Sequence, residues 1–335
     1  MTTFKSVAKS KTREIILIAV IIAIGIVVSF LSESFLNLRN LTNILNNNAI
    51  IGIMAIGMMI IIVTGNIDVS VGAQFAVCAM VSAAYVKMTG GTNPLLTFLI
   101  SILTGIVLGM INGFFVAKFN IPAIVVTLGT LSIIRGALLL ITNGKWISDL
   151  KGPFIKIANY RVGTLTFSVY VWFLVIIVTY LILYRTRTGR NIVAVGGNKN
   201  AAERIGISQS SVYMFSFGYM GALSGIASTL YVSKLAIAQP TAGMGIEMKL
   251  IAAAVLGGTV FSGGIASIFG TFLGSLLFGL IENALVLTKV PVYWQSLATG
   301  VVLIAAVVSS AYQAGGLHAG GKRSVKGGRQ NDKTK

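Results

Sequence analysis

Few side chains in this sequence could do chemistry, and their positions narrow what that chemistry is. Asp68 and Ser70 stand in a polar break, Gly65-Asn-Ile-Asp-Val-Ser-Val-Gly72, between two apolar runs. A carboxylate or hydroxyl there can cap the following helix, accepting backbone N–H groups that lipid leaves unsatisfied. Helix breaks are also where transporters turn backbone polarity toward a polar path. Both readings stay open. Arg135, Glu282 with its neighbour Asn283, and Glu247 with Lys249 lie in or beside other apolar runs. A charge inside a membrane segment is costly and faces the bundle interior or a cavity. Pairing of Arg135 with a carboxylate, to set helix registration, and contact with substrate both fit it. Asp68, Ser70, Arg135, Glu282 and Asn283 are the candidates for lining a translocation path.

Other chemistries are excluded by what is missing. With the single cysteine, Cys78, in an apolar run and the single histidine, His318, in a Gly-rich tail, no disulfide framework, zinc site or haem site is expected. The chain has no HExxH, no GxSxG and no paired intramembrane carboxylates, so no catalytic residues are assigned. Gly321-Lys322-Arg323 lacks the spacing and the hydroxyl of a phosphate-binding loop, so ATP is not hydrolysed here by that device.

One polar stretch reads differently. Arg185-Thr-Arg-Thr-Gly-Arg190 is followed by Gly196-Gly-Asn198-Lys-Asn200-Ala201-Ala202-Glu203-Arg204-Ile-Gly206. Asn200 with Glu203 three residues later spells a capping box, and Gly206 a stop. The spacing predicts a helix of about one and a half turns, alone in a polar loop, too short to be stable unless docked. A simple surface turn fits equally well.

Composition supplies the elements that must position these residues. Hydrophobic residues make up 55% of 335 and charged residues 10%, and there are 38 glycines. A mean hydropathy of +0.88 leaves too little polar surface for a water-soluble globule. The chain is an integral membrane protein, an all-α polytopic bundle. Apolar runs long enough for a bilayer recur about ten times, near 14–32, 49–64, 72–87, 95–117, 122–142, 168–184, 212–232, 249–261, 266–287 and 293–312. The eighth is short and ends in Gly257, Gly258, Gly263 and Gly264, which predicts a broken or re-entrant segment. The first run, although preceded by basic residues, is too long for a signal core and is expected to be a retained helix. Gly105, Gly109 and Gly113, with Gly221/Gly225 and Gly270/Gly274, are spaced for close helix packing.

The net charge of +18 follows from 26 basic against 8 acidic residues. Placing the N-terminus inside puts 16 basic residues in the inner segments and 9 in the outer ones. That bias predicts a cytoplasmic tail over 1–13, one membrane domain over 14–312, and a cytoplasmic loop at 185–211. It also predicts an outward loop at 143–167 and a disordered cytoplasmic tail over 313–335. The basic residues accompany loops beside membrane lipid, and no basic helix with interleaved aromatics points to nucleic acid.

Five separated stretches carry a resemblance. The Gly65–Gly72 break, Ile121-Pro-Ala-Ile-Val-Val-Thr-Leu-Gly129 with Arg135-Gly136, the Arg185–Gly206 stretch, Ala238-Gln-Pro-Thr-Ala-Gly243 and Ile251-Ala-Ala-Ala-Val-Leu-Gly-Gly-Thr259 are similar to bacterial ABC-importer permeases of the ribose type. Asn66-Ile-Asp-Val-Ser and Gly144-Lys-Trp-Ile147 also look like permeases for a furanose-type autoinducer. The likeness covers about 40–312; the tail from Gly315 falls outside it. It implies a non-catalytic subunit in the bacterial inner membrane that works with two ATP-binding cassette subunits and a second permease copy or sister permease. An extracytoplasmic solute-binding protein would deliver a ribose-like sugar or a related autoinducer. ATP would be bound by the partners, and Asn198, Asn200, Ala201, Ala202, Glu203, Arg204 and Gly206 would form the helix that couples to them. The competing expectation is a self-sufficient secondary transporter, which needs ion-coupling carboxylates for which only Asp68 and Glu282 are available.

Overall fold

The computed structural model describes residues 2–291, with 2–13 by backbone alone, and 293, 294, 297, 300, 301, 304 and 308. Its order is α1 (Thr2–Leu31), α2 (Leu38–Val63), α3 (Val71–Thr89), α4 (Pro94–Phe119), α5 (Ala123–Thr142), α6 (Phe154–Ile157), β1 (Arg161–Val162), β2 (Leu165–Thr166), α7 (Phe167–Arg185), α8 (Arg187–Gly197), α9 (Lys199–Arg204), α10 (Gln209–Leu235), α11 (Ile246–Leu256) and α12 (Ile268–Leu287). Among the described residues, seven helices are long and apolar enough to cross a membrane: α1 through Glu14–Leu31, then α2, α3, α4, α5, α7 and α12.

α10 has the length, 27 residues or about 40 Å, but not the apolar composition. Its serines and glycines serve another purpose. α4 and α10 approach so closely that a Cβ on Gly105 would overlap the carbonyl of Gly221, and one on Gly109 that of Phe217. The Ser101 hydroxyl crosses the seam to donate to Gly225 O at 3.0 Å. Gly270 and Gly274 bring α12 equally close to α11. The glycine spacing thus does what packing in lipid demands, where apolar side chains gain little by leaving their solvent.

α2 is the centre. Ile53, Met54, Ala55, Ile56 and Met58 through Val63 are fully buried, enclosed by α7, α10, α11 and α12. α1 lies outside, packed on α12, with Ile15, Ile22, Val27 and Phe30 exposed. α5 leans on α3 and α4 and exposes Val125, Leu128, Ile133 and Leu140. Such faces are what a helix presents to lipid or to another membrane subunit.

The eighth apolar run is half a span. α11 stops after 11 residues, about 16 Å, and Gly258, Gly263 and Gly264 turn the chain at positive φ. The 143–167 loop is more ordered than its sequence suggests. It folds into α6 and the β1–β2 hairpin, whose Thr166 N–H and hydroxyl both donate to Asn46 Oδ1 of α2 at 2.9 and 3.1 Å. The first helix reaches back to Thr2, through the segment expected as a tail. The tenth apolar run, 293–312, is described at only a few positions, and the 313–335 tail with His318 lies outside the described residues.

Candidate functional site

Seven residues separate α2 from α3, and Asp68 organises them. Its Oδ1 accepts the Ser70 N–H at 2.9 Å and the Ser70 hydroxyl at 2.6 Å, and its Oδ2 accepts Gln74 Nε2 at 3.0 Å. Ser70 Oγ in turn accepts Gln74 Nε2 at 2.8 Å and Asn112 Nδ2 of α4 at 2.7 Å. All four residues are fully buried. Asp68 therefore caps α3 as its position suggests, while Ser70, the N-cap residue, makes no cap bond itself. Gln74 could have been read from the sequence, being four residues on from Ser70 along one helix face. Asn112 could not, because only the fold brings α4 to this point. The carbonyl oxygens of Gln74 and Asn112 have no hydrogen-bond partner among the described residues.

Just beyond this knot, α3 meets the segment 236–245. Gly72 and Gly243 are in near-backbone contact, and Gly243 has φ +69°. Arg135 fastens the junction from α5, donating to Pro240 O at 2.8 Å, Ala242 O at 2.8 Å and Gly72 O at 3.1 Å. The guanidinium thus gives its hydrogen bonds to three backbone carbonyls, and Glu247 is a carboxylate near enough to act on its charge. The physical reason is the break itself: Pro240 O and Ala242 O lie outside any helix and need donors, and a guanidinium supplies several in one plane.

Glu282 pairs with Lys249 of α11. Asn283 exchanges two hydrogen bonds with Asn40 of α2, at 3.0 and 2.8 Å, so its amide ties α12 to α2. Beside them a cavity of about 200 Å³ is lined by Asn47, Asn48, Gly279 and Glu282 among others. The five candidate path residues thus fall into two groups, Asp68–Ser70–Arg135 at the start of α3 and Glu282–Asn283 at the end of α12. α11 stands between them, Glu247 lying against Gly72 and Lys249 against Glu282.

The 185–211 loop holds two helices, not one. α8 was missed by sequence reasoning, although Thr186 before it and Ile192 with Val195 on one face were visible. Thr186 Oγ1 accepts the Gly189 N–H at 3.2 Å, and Gly189 fits where α8 folds back on the last carbonyls of α7. α9 follows directly. Its N-cap is Asn198, accepting from Ala201 N at 3.0 Å, rather than Asn200. Glu203 does not close a capping box; its carboxylate accepts Gln209 Nε2 at 3.4 Å. The box fails because α8 runs to Gly197 and leaves Asn198 as the hinge between the two helices. Gly206, at φ +81°, ends the turn as expected, donating to Glu203 O at 2.9 Å. Ala202 is buried against the bundle, whereas Ala201, Arg204 and Ile205 are exposed, Ile205 by 75%. The face free to meet another molecule is therefore the one carrying Ala201 and Ile205.

Between α9 and the α2–α3 break lies another cavity, of about 370 Å³. Asn66, Asn120, the first residues of α5, Lys199 and Tyr213 are among its walls.

Residues 40–307 match the family described as branched-chain amino acid transport system / permease component. The autoinducer 2 import system permease protein LsrC of Photorhabdus luminescens is 33% identical over 298 residues, which cover 88% of this chain and 89% of that protein. The ribose import permease protein RbsC of Haemophilus influenzae is 35% identical over 299 residues, covering 88% and 92%. Its namesake in Escherichia coli K12 is 36% identical over 299 residues, covering 87% and 91%. No solved structure matches the chain.

Proposed function

The chain belongs to the family of branched-chain amino acid transport system permease components, and from that premise we propose the cargo, the partners and the moving parts of the importer it serves. It is a multi-pass permease subunit of an ATP-driven ABC importer. The cargo in this reading is a small polyhydroxylated solute, a ribose-like pentose or a furanose-type autoinducer, because the relatives named for ribose and for autoinducer 2 align over nearly all of the chain. Two ATP-binding cassette subunits hydrolyse the ATP, a second permease copy or sister permease completes the pathway, and a solute-binding protein docks on the opposite side. The 185–208 end faces the cytoplasm and the α6–hairpin end faces outward.

A single observation carries the coupling assignment. α9 is a six-residue helix, capped by Asn198 and Gly206, anchored inward by Ala202 and presenting Ala201 and Ile205 outward. A helix this short persists only because the bundle holds it, so a push on its outer face is passed to α10 and the α2–α3 break. The start of α3, pinned by Asp68 and Arg135, is the element that would respond. The test is Ala201→Trp in the assembled complex. Its outward side chain leaves the bundle folded but disturbs ATPase docking, so solute-stimulated hydrolysis across a panel of sugars should fall at least tenfold. Unchanged assembly and unchanged coupled uptake would reject α9 as the coupling element.

A further inference from the structure

The 370 Å³ cavity beside α9 has the chemistry of an anion site. α5 begins there without a cap: Pro122 is its N-cap residue and makes no side-chain cap bond. The N–H groups of Val125 and Val126 turn back to Pro122 O at 2.9 and 3.3 Å, which leaves the amides of Ala123 and Ile124 without a partner among the described residues. A 20-residue helix concentrates partial positive charge at that end, and free N–H groups give it direction.

Three side chains reinforce it from other elements. The Lys199 ammonium lies 5.6 Å above the ring of Tyr213. Tyr213 is 3% exposed, and its hydroxyl has no hydrogen-bond partner among the described residues. Asn120 brings its side-chain amide to the same walls, whereas the Asn66 amide is already engaged, donating to Thr64 Oγ1 at 2.9 Å, and among the described residues no Asp or Glu lines the cavity. Donors converge from α5, α9 and α10 with no carboxylate to offset them.

We propose that this cavity binds a phosphate-bearing anion, which by bridging α5, α9 and α10 restrains the short helix and slows transport. The binding stands on the cavity alone; the regulatory consequence rests on the coupling reading of α9. The shared chemistry is phosphate, from either a soluble phosphate or the headgroup of an anionic lipid.

The experiment uses the assembled importer in neutral-lipid nanodiscs, titrated calorimetrically with inorganic phosphate. Saturable binding is expected, with Lys199→Gln weakening it about tenfold and Tyr213→Phe about fivefold, at unchanged melting temperature. Tyr213→Phe keeps the ring and removes only the unpartnered hydroxyl, so it separates loss of the site from loss of the fold. Repeating the titration with phosphatidylglycerol in the disc identifies the source. Competition assigns the site to a headgroup and indifference assigns it to a soluble anion, and both uphold the phosphate chemistry. No saturable binding, or binding that neither substitution weakens, overturns the proposal. Binding is read without turnover, so failure of α9 as a coupling element leaves this result standing, and the reverse also holds.

Discussion

α10 is joined to α4, and α5 to the 236–245 segment, by opposite means. The α4–α10 seam is backbone against backbone, with Gly105, Gly109, Gly221 and Gly225 where side chains would collide. Its energy is dispersed over many small contacts, none of which can be exchanged for another without separating the helices. The α5 junction rests on one guanidinium shared among three carbonyls, Gly72 O in the first turn of α3 and Pro240 O and Ala242 O outside any helix. A hydrogen bond can be given up and remade with water or solute, so such a junction can have two arrangements. The seam is built to stay and the junction to move. That division suits a permease, in which a fixed scaffold must carry a segment that opens.

The comparison is broken most severely at the seam. Gly221→Val places methyl groups against the carbonyl of Gly105 and the amide of Ile106, both backbone atoms that cannot rotate away. The cost should be on the order of 3 kcal/mol, and the yield of monodisperse protein from the membrane should collapse. A variant recovered at wild-type yield and melting temperature would show that the two helices slide, and the seam would lose its standing as scaffold.

Arg135→Gln sharpens the other side. Its amide can serve one of Pro240, Ala242 and Gly72 but not all three. The loss should be about 2 kcal/mol, enough to lower the melting temperature by a few degrees while leaving the bundle assembled. Uptake should fall far more than stability does, because the segment that must move is no longer held in its starting position. Equal losses in both would make Arg135 part of the scaffold.

How much of this was readable in advance follows the same division. Helices whose apolar runs face lipid were legible to within a few residues, because hydropathy records that boundary directly. α2 begins at Leu38 rather than near 49, since its first turns carry Asn40, Asn46 and Asn47, which read as loop yet bond to α12, β2 and α10. The capping position of Asp68 was legible and its Gln74 partner lay within reach. For Arg135 the sequence left carboxylate pairing and substrate contact open, because it displays carboxylates but not which carbonyls a chain break will leave bare. α9 was legible as a capped turn, but its register was not, since Asn198 and Asn200 are equally good caps until the end of α8 is known. The burial of Ala202 follows from that register alone.

The smallest effect belongs to the Asp68 knot, and it decides whether that knot sides with the scaffold or the moving part. In Asp68→Asn the retained oxygen can still accept from the Ser70 N–H and hydroxyl, which are the cap bonds of α3. The new amide then meets Gln74 Nε2, donor against donor. Relief is at hand, because Gln74 Oε1 is buried without a partner, and turning that side chain over lets it accept from the new amide. The turn gives up the bond from Gln74 Nε2 to Ser70 Oγ, so one ordinary hydrogen bond is lost and the cost should be about 1 kcal/mol or less. Folding and assembly should therefore be close to wild type. If the knot only caps α3, uptake should be close to wild type as well. If the charge of Asp68 is used as α3 shifts, the same folded protein should hydrolyse ATP with its partners and import nothing. A melting curve and an uptake assay on one preparation distinguish the two, and a loss of several kcal/mol would show that Gln74 cannot turn.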